Sequence, residues 1–114
     1  WGTGIPQREF LYVGDAADVI ADALHWKTDS EPVNVNGEEI TIRDLAALIV
    51  RLVGYRGEVA WDATKPDGVA RKCLSGEKLR AVLTFDYRPK SLEVGLRQTI
   101  AWYLANKAAA DARM

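Results

Sequence analysis

The residues best suited to chemistry in this sequence lie between positions 62 and 72. There Asp62-Ala63-Thr64-Lys65-Pro66-Asp67-Gly68-Val69-Ala70-Arg71-Lys72 sets Lys65, Arg71 and Lys72 around a central Pro-Asp-Gly turn. Pro66 pre-sets its φ for a turn and Gly68 can take φ > 0 at no steric cost, so Asp67 is expected to be held still. A rigid turn offering one acid among several bases suits a sugar diphosphate better than a protein interior. It also describes an ordinary charged, solvated turn, and composition by itself leaves both readings open.

Other chemistries are excluded by what the chain lacks. The single His25 removes multi-histidine metal sites, and the single Cys73 removes internal disulfides and cysteine metal clusters. No acid or nucleophile is placed to use His25, which reads as a surface or boundary residue. Cys73 follows two cations that could lower its pKa, but its flank against Leu74 favours an inert, half-buried thiol. Gly2 and Gly4 begin a dinucleotide-like pattern, but Gln7 stands where the third glycine belongs and a strand follows instead of a helix.

With 15 basic and 16 acidic residues the net charge is −1, without a single-sign field that would point to nucleic acid or an anionic membrane. No apolar run approaches the ~18 residues of a membrane span, and no signal peptide is evident, so a cytoplasmic location is expected. The first residue is Trp1 rather than Met, so this end is not expected to be a translation start. At 114 residues the chain reads as one domain, below the size of most complete enzymes.

The elements that must position the loop are short. Residues 8–13 read as a strand, followed by Asp15 as the cap of a helix with Val19, Ile20, Ala23 and Leu24 on one stripe. Residues 33–35 read as a second short strand ending at Asn36-Gly37. Thr41 with Asp44 makes a capping box for the clearest amphipathic helix, carrying Ile42, Leu45, Ala46, Ile49, Leu52 and Val53, with Gly54 as its C′ residue. Residues 58–61 read as a strand that delivers the chain into the 62–72 loop. Ser75 caps a short helix through Leu83, and Ser91 caps a last helix with Leu92, Leu96, Ile100, Tyr103 and Leu104, whose tail from Lys107 frays. The expected fold is a small α/β domain of three to four helices with three short strands and no Rossmann sheet of its own.

Three segments carry a resemblance. Trp1-Gly2-Thr3-Gly4-Ile5-Pro6-Gln7-Arg8-Glu9-Phe10-Leu11-Tyr12-Val13 with Asp15 is one. Thr41-Ile42-Arg43-Asp44-Leu45 through Val53-Gly54-Tyr55-Arg56-Gly57 is the second, and Lys65-Pro66-Asp67-Gly68 with Arg71-Lys72 is the third. In order and spacing they resemble the C-terminal half of GDP-L-fucose synthases, extended short-chain dehydrogenase/reductase (SDR) enzymes of the nucleotide-sugar epimerase/dehydratase group. The final Trp102-Tyr103-Leu104 helix also fits, so the resemblance covers essentially the whole chain. Two departures are visible: Gly14 stands where many members have an acid, and the Asn36-Gly37-Glu38-Glu39 turn is one residue shorter than usual.

The resemblance implies an enzyme that converts GDP-4-keto-6-deoxymannose to GDP-L-fucose with NADPH. It also implies that residues 1–114 form the substrate-binding domain, that NADP and the catalytic groups belong to an absent N-terminal Rossmann half, and that this chain alone is inactive. Carried over by position, Trp1, Arg8 and Asp67 fall on substrate contacts. Arg8 offers a planar fork for the diphosphate, Asp67 an acceptor for sugar or ribose hydroxyls, and Trp1 a flat apolar face. Arg71 and Lys72, with Lys65 behind them, add positive charge near the phosphates. Self-association of the isolated domain is also expected, through apolar faces meant for the missing half. The alternatives are a fragment of another nucleotide-sugar epimerase or dehydratase, or a non-catalytic nucleotide-sugar-binding or interaction module.

Overall fold

The computed structural model describes residues 2–27 and 31–112. Its centre is β1 (Gln7–Phe10), which pairs on one side with β2 (Glu38–Thr41) and on the other with β3 (Arg71–Lys72). β2 runs antiparallel with Gln7 opposite Thr41 and Phe10 opposite Glu38, whereas β3 runs parallel with Gln7 beside Arg71 and Arg8 beside Lys72. Four helices complete the chain: α1 (Val13–Asp22), continued by a 3-10 turn, α2 (Ile42–Val53), α3 (Glu77–Val82) and α4 (Leu92–Asp111).

α2 forms where its sequence places it. The Thr41 hydroxyl accepts the Asp44 N–H at 3.0 Å and donates to the Asp44 carboxylate at 2.6 Å, closing the start of the helix. Gly54 ends it in the left-handed region at φ 68°. The helix's first two N–H groups are also satisfied, Ile42 by the Pro6 carbonyl at 3.1 Å and Arg43 by the Gly4 carbonyl at 2.8 Å. α2 packs on α4, where Glu93 joins Arg51 at 2.9 Å to Arg97 at 2.7 Å.

Several expectations are corrected. Residues 33–35 and 58–61 have strand-like composition but make no ladder; the pairing partners of β1 are Glu38–Thr41 and Arg71–Lys72. Sheet membership follows from which backbone lies beside β1, and β propensity is secondary to that. β1 itself stops at Phe10, and α1 starts at Val13 with Tyr12 as its cap. Asp15 is therefore no cap. It sits in the first turn, buried, and accepts from the Lys90 N–H at 2.8 Å and the Lys90 ammonium at 2.7 Å. Gly76, not Ser75, caps α3, although the Ser75 hydroxyl still accepts from the Glu77 N–H at 3.3 Å. α4 continues to Asp111 past the expected fraying point, with a local break in helical geometry at Asn106 (φ −119°, ψ 16°).

The core is small. Among the described residues the buried apolar side chains are Val19, Leu79 and Leu92. α1 turns two of its three carboxylates inward, and with the turn after it sends much of its apolar surface outward: Asp15 and Asp22 are buried and Asp18 is exposed, while Val13, Ile20 and Leu24 are 73%, 69% and 87% exposed. Asp22 is satisfied inside by Thr84, through its N–H at 2.9 Å and its hydroxyl, and by the Trp26 indole N–H at 2.7 Å. Burial pushes the Asp22 carboxyl up, and these hydrogen bonds outweigh it to leave the net shift downward. The radius of gyration is 16.9 Å, against roughly 13 Å for a compact domain of this length. The accessible surface is 8376 Å², against about 6,200 Å² for a compact monomer of this mass.

Candidate functional site

The site is built by two segments that lie side by side, residues 2–8 and 62–72. The Gly2 N–H donates to the Asp62 carbonyl at 2.8 Å and the Gln7 N–H to the Ala70 carbonyl at 2.9 Å. Between them the Asp67 carboxylate accepts from the Thr3 N–H and the Thr3 hydroxyl, each at 2.6 Å. The same 64-residue offset relates Thr3 to Asp67 and Arg8 to Lys72. Gly68 takes φ 76°, as the turn requires. Asp62 stiffens the loop's entry by accepting from the Thr64 N–H at 3.1 Å and the Thr64 hydroxyl at 2.5 Å.

The first segment is fixed from its other side as well. The Arg43 guanidinium donates to the Thr3 carbonyl and lies 5.0 Å from the centre of the Trp61 ring. The Trp61 ring in turn sits where a Cβ on Gly4 would be. Gly2, at φ 78°, approaches the loop so closely that a Cβ would fall on the Asp67 carboxylate. Thr3, Arg43 and Trp61 were not singled out from sequence, because Thr3 meets Asp67 across 64 positions and Arg43 across 40, which leaves no local signal.

Strand pleating sorts the expected site residues. Side chains in register share a face, and successive ones alternate. Arg8 and Lys72 therefore share one face of the sheet, whereas Gln7, Glu9, Glu39 and Arg71 share the other. Arg8 and Lys72 line a pocket of ≈ 230 Å³ with Glu9, Leu11, Val35 and Leu74 among its other walls. Arg8 donates to the Gln7 carbonyl at 2.6 Å, and among the described residues neither Arg8 nor Lys72 has a carboxylate partner. Arg71, by contrast, reaches across β1 to grip Glu39 with two hydrogen bonds, at 2.7 and 2.8 Å. That grip brings the Glu39 carboxyl down to about 2 and pushes the Arg71 guanidinium up.

Asp67 stands five residues before Lys72, so the Cα atoms of the two are at most about 18 Å apart. The Thr3 hydroxyl and N–H hold its carboxyl below the usual carboxylate range, so it is an ionised acceptor at neutral pH. Lys65 is exposed. Trp1 lies outside the described residues. The arrangement can hold a ligand with an anionic group over Arg8 and Lys72 and hydroxyls toward Asp67.

The remaining reactive types are quiet. Burial pushes the Cys73 thiol up, and its contact with Glu39 adds to that, which fits an inert thiol. His25 is exposed at the end of the turn after α1. Among the described residues no cluster of His, Cys, Asp or Glu is placed to hold a metal, and no helix is long and apolar enough to cross a membrane. Gly2 and Gly4 pack against Asp67 and Trp61 and lead into β1, so they do not fit a dinucleotide, whose glycines must open a helix.

Sequence comparison finds GDP-L-fucose synthase 1 of Arabidopsis thaliana 47% identical over 108 residues, covering 93% of this chain and 32% of the relative. The GDP-L-fucose synthase of Escherichia coli K12 is 41% identical over 117 residues, covering 94% of this chain and 36% of the relative. By sequence the chain is similar to part of the GDP-L-fucose synthases. It spans about a third of the length of the curated relatives it matches. No family model matches it. Among solved structures, the GDP-L-fucose synthetase of Naegleria fowleri bound to NADP superposes with a TM-score of 0.82 at 28% identity, over 94% of this chain and 34% of that one. The UDP-glucose 4-epimerase of Thermotoga maritima with UDP-glucose superposes at 0.80 with 27% identity, over 93% and 34%. The fold is thus that of the small α/β C-terminal domain of extended SDR enzymes, as the sequence led us to expect.

Proposed function

We propose that residues 1–114 are the substrate-binding domain of a GDP-L-fucose synthase and supply the wall that holds the nucleotide sugar. The reaction is the NADPH-dependent epimerisation and reduction of GDP-4-keto-6-deoxymannose to GDP-L-fucose, in the cytoplasm. The observation that carries this reading is the pairing of Arg8 with Lys72 on one sheet face, at a pocket that Glu9 also lines, with no carboxylate ion-paired to either cation among the described residues. Two adjacent cations held in register by the backbone are a diphosphate site in waiting. Asp67, ionised and fixed at the far end of the same loop, takes the hydroxyls of the sugar or ribose. Trp1 is assigned to the same wall by the resemblance, whereas Arg71, tied to Glu39 on the opposite face, holds the strand that carries Lys72.

NADP and the proton-transfer groups are assigned to an N-terminal Rossmann half, so this chain alone is inactive. The excess surface supports that division. The difference between 8376 Å² and the roughly 6,200 Å² of a compact monomer matches an obligate interface in size. The outward Val13, Ile20 and Leu24 face of α1 is the part of that surface we assign to the missing half. Unpaired, the same face drives self-association of the isolated chain.

Thermal-shift titration separates this reading from its closest rival, a UDP-sugar epimerase fragment. A ligand that binds only the folded chain raises Tm as its concentration passes Kd. GDP-mannose is expected to raise Tm at concentrations where UDP-glucose does not. An equal response to both, or to neither, overturns the assignment.

A further inference from the structure

We propose that Thr3 is a positioning residue for the site: it anchors the Asp67 carboxylate, and so sets where the hydroxyl-binding end of the loop stands relative to the Arg8–Lys72 pair. The proposal rests on the nucleotide-sugar reading above and adds a residue to it.

Every polar group of Thr3 is engaged. Its N–H and hydroxyl each donate to a different oxygen of Asp67 at 2.6 Å. Its hydroxyl oxygen accepts the Ile5 N–H at 3.3 Å, and its carbonyl accepts from Arg43. Arg43 is itself held over Trp61 and tied through its own N–H to the Gly4 carbonyl at 2.8 Å. Thr3 is therefore anchored on α2 and the Trp61 ring, and Asp67 is anchored on Thr3.

The consequence for binding is geometric. An exposed aspartate on a turn would otherwise sample several rotamers, and each would place its oxygens differently. Here both oxygens are fixed: of the about four lone-pair sites of an ionised carboxylate, Thr3 occupies one on each oxygen and the Gly4 N–H also faces the group. The remaining sites are presented to solvent in one orientation. Preorganised acceptors lose less freedom when a hydroxyl docks. Gly2 shows that the approach is tight, since a side chain there would displace the Asp67 carboxylate.

The test is an NMR titration combined with calorimetry on the 114-residue chain, its Thr3→Val variant and its Thr3→Ser variant. In the unmodified chain the Thr3 amide proton should follow the ionisation of Asp67; if it does not, the anchor is overturned without recourse to any variant. Thr3→Val keeps the side-chain shape and removes the hydroxyl. It should raise the Asp67 pKa toward its ordinary value and weaken GDP-mannose binding roughly tenfold, the scale of one charge-assisted hydrogen bond. Thr3→Ser should restore both to within about twofold of the parent. An Asp67 titration unmoved by Thr3→Val, or a moved titration with unchanged affinity, overturns the proposal. A parent chain that does not bind GDP-mannose overturns the nucleotide-sugar reading instead, and the amide titration still decides the anchor.

Discussion

Arg71 and Lys72 are neighbours in the chain but leave β3 on opposite faces of the sheet. Arg71 reaches Glu39 on the far strand, with Nε at 2.7 Å from the carboxylate. Lys72 stands beside Arg8 at the pocket. Two cations that look equivalent in sequence thus do different work: one ties the strands together and the other stays open to an anion.

For the open pair, Arg8→Ala should weaken GDP-mannose binding by at least tenfold, because a charge-assisted hydrogen bond contributes about 1.5–3 kcal/mol. In a full-length enzyme the same change should raise KM by a similar factor. Calorimetry on the chain and steady-state kinetics on the enzyme check it. Unchanged values would remove Arg8 from the site.

For the tied pair, the prediction concerns pH. Arg71 holds the Glu39 carboxyl at about 2, below its ordinary 4.5. A depressed folded value stabilises the fold fully above the unfolded pKa, and that contribution is lost as pH falls toward about 2. Arg71→Gln should therefore return Glu39 toward 4.5 and flatten this part of the acid-unfolding curve. The effect on stability at neutral pH should be small, since the pair is solvent-exposed. Carboxyl NMR titration with acid unfolding followed by circular dichroism measures both.

The small core makes one substitution disproportionately costly. Leu79 is 1% exposed, and truncating a buried leucine costs about 2–5 kcal/mol. Leu79→Ala should lower Tm by on the order of 10 °C or more. Leu104→Ala, on an exposed face of α4, should change stability by no more than about 0.5 kcal/mol. Thermal melts of the two variants decide whether the fold is organised around Leu79.

The outward face of α1 predicts behaviour at high concentration. Ile20→Lys with Leu24→Glu should shift the chain toward monomer in analytical ultracentrifugation without lowering Tm, since neither side chain contributes to the core. A parent chain that stays monomeric at every concentration would contradict self-association through this face.

What was legible in the sequence was local. Thr41, Asp44 and Gly54 lie within the turns they shape, so α2 could be read to its ends. The Pro66-Asp67-Gly68 turn was legible for the same reason. β3 was not, because residues 71 and 72 become a strand only by lying beside β1. Asp15 had the right type for a cap, but Lys90, 75 positions away, draws it inside. The 62–72 loop stood out by its residue types; the separation of Arg71 from Lys72 needed the register.

The central claim is that Arg8, Lys72 and Asp67 form one nucleotide-sugar wall. The most direct test is a map of backbone amide shifts in the 114-residue chain as GDP-mannose is added. The account predicts that the largest changes fall on Thr3, Arg8, Asp67 and Lys72, with α1 and α4 unmoved. Changes centred instead on the pocket beside Leu79, Phe85 and Tyr87, or no changes at millimolar ligand, would contradict it.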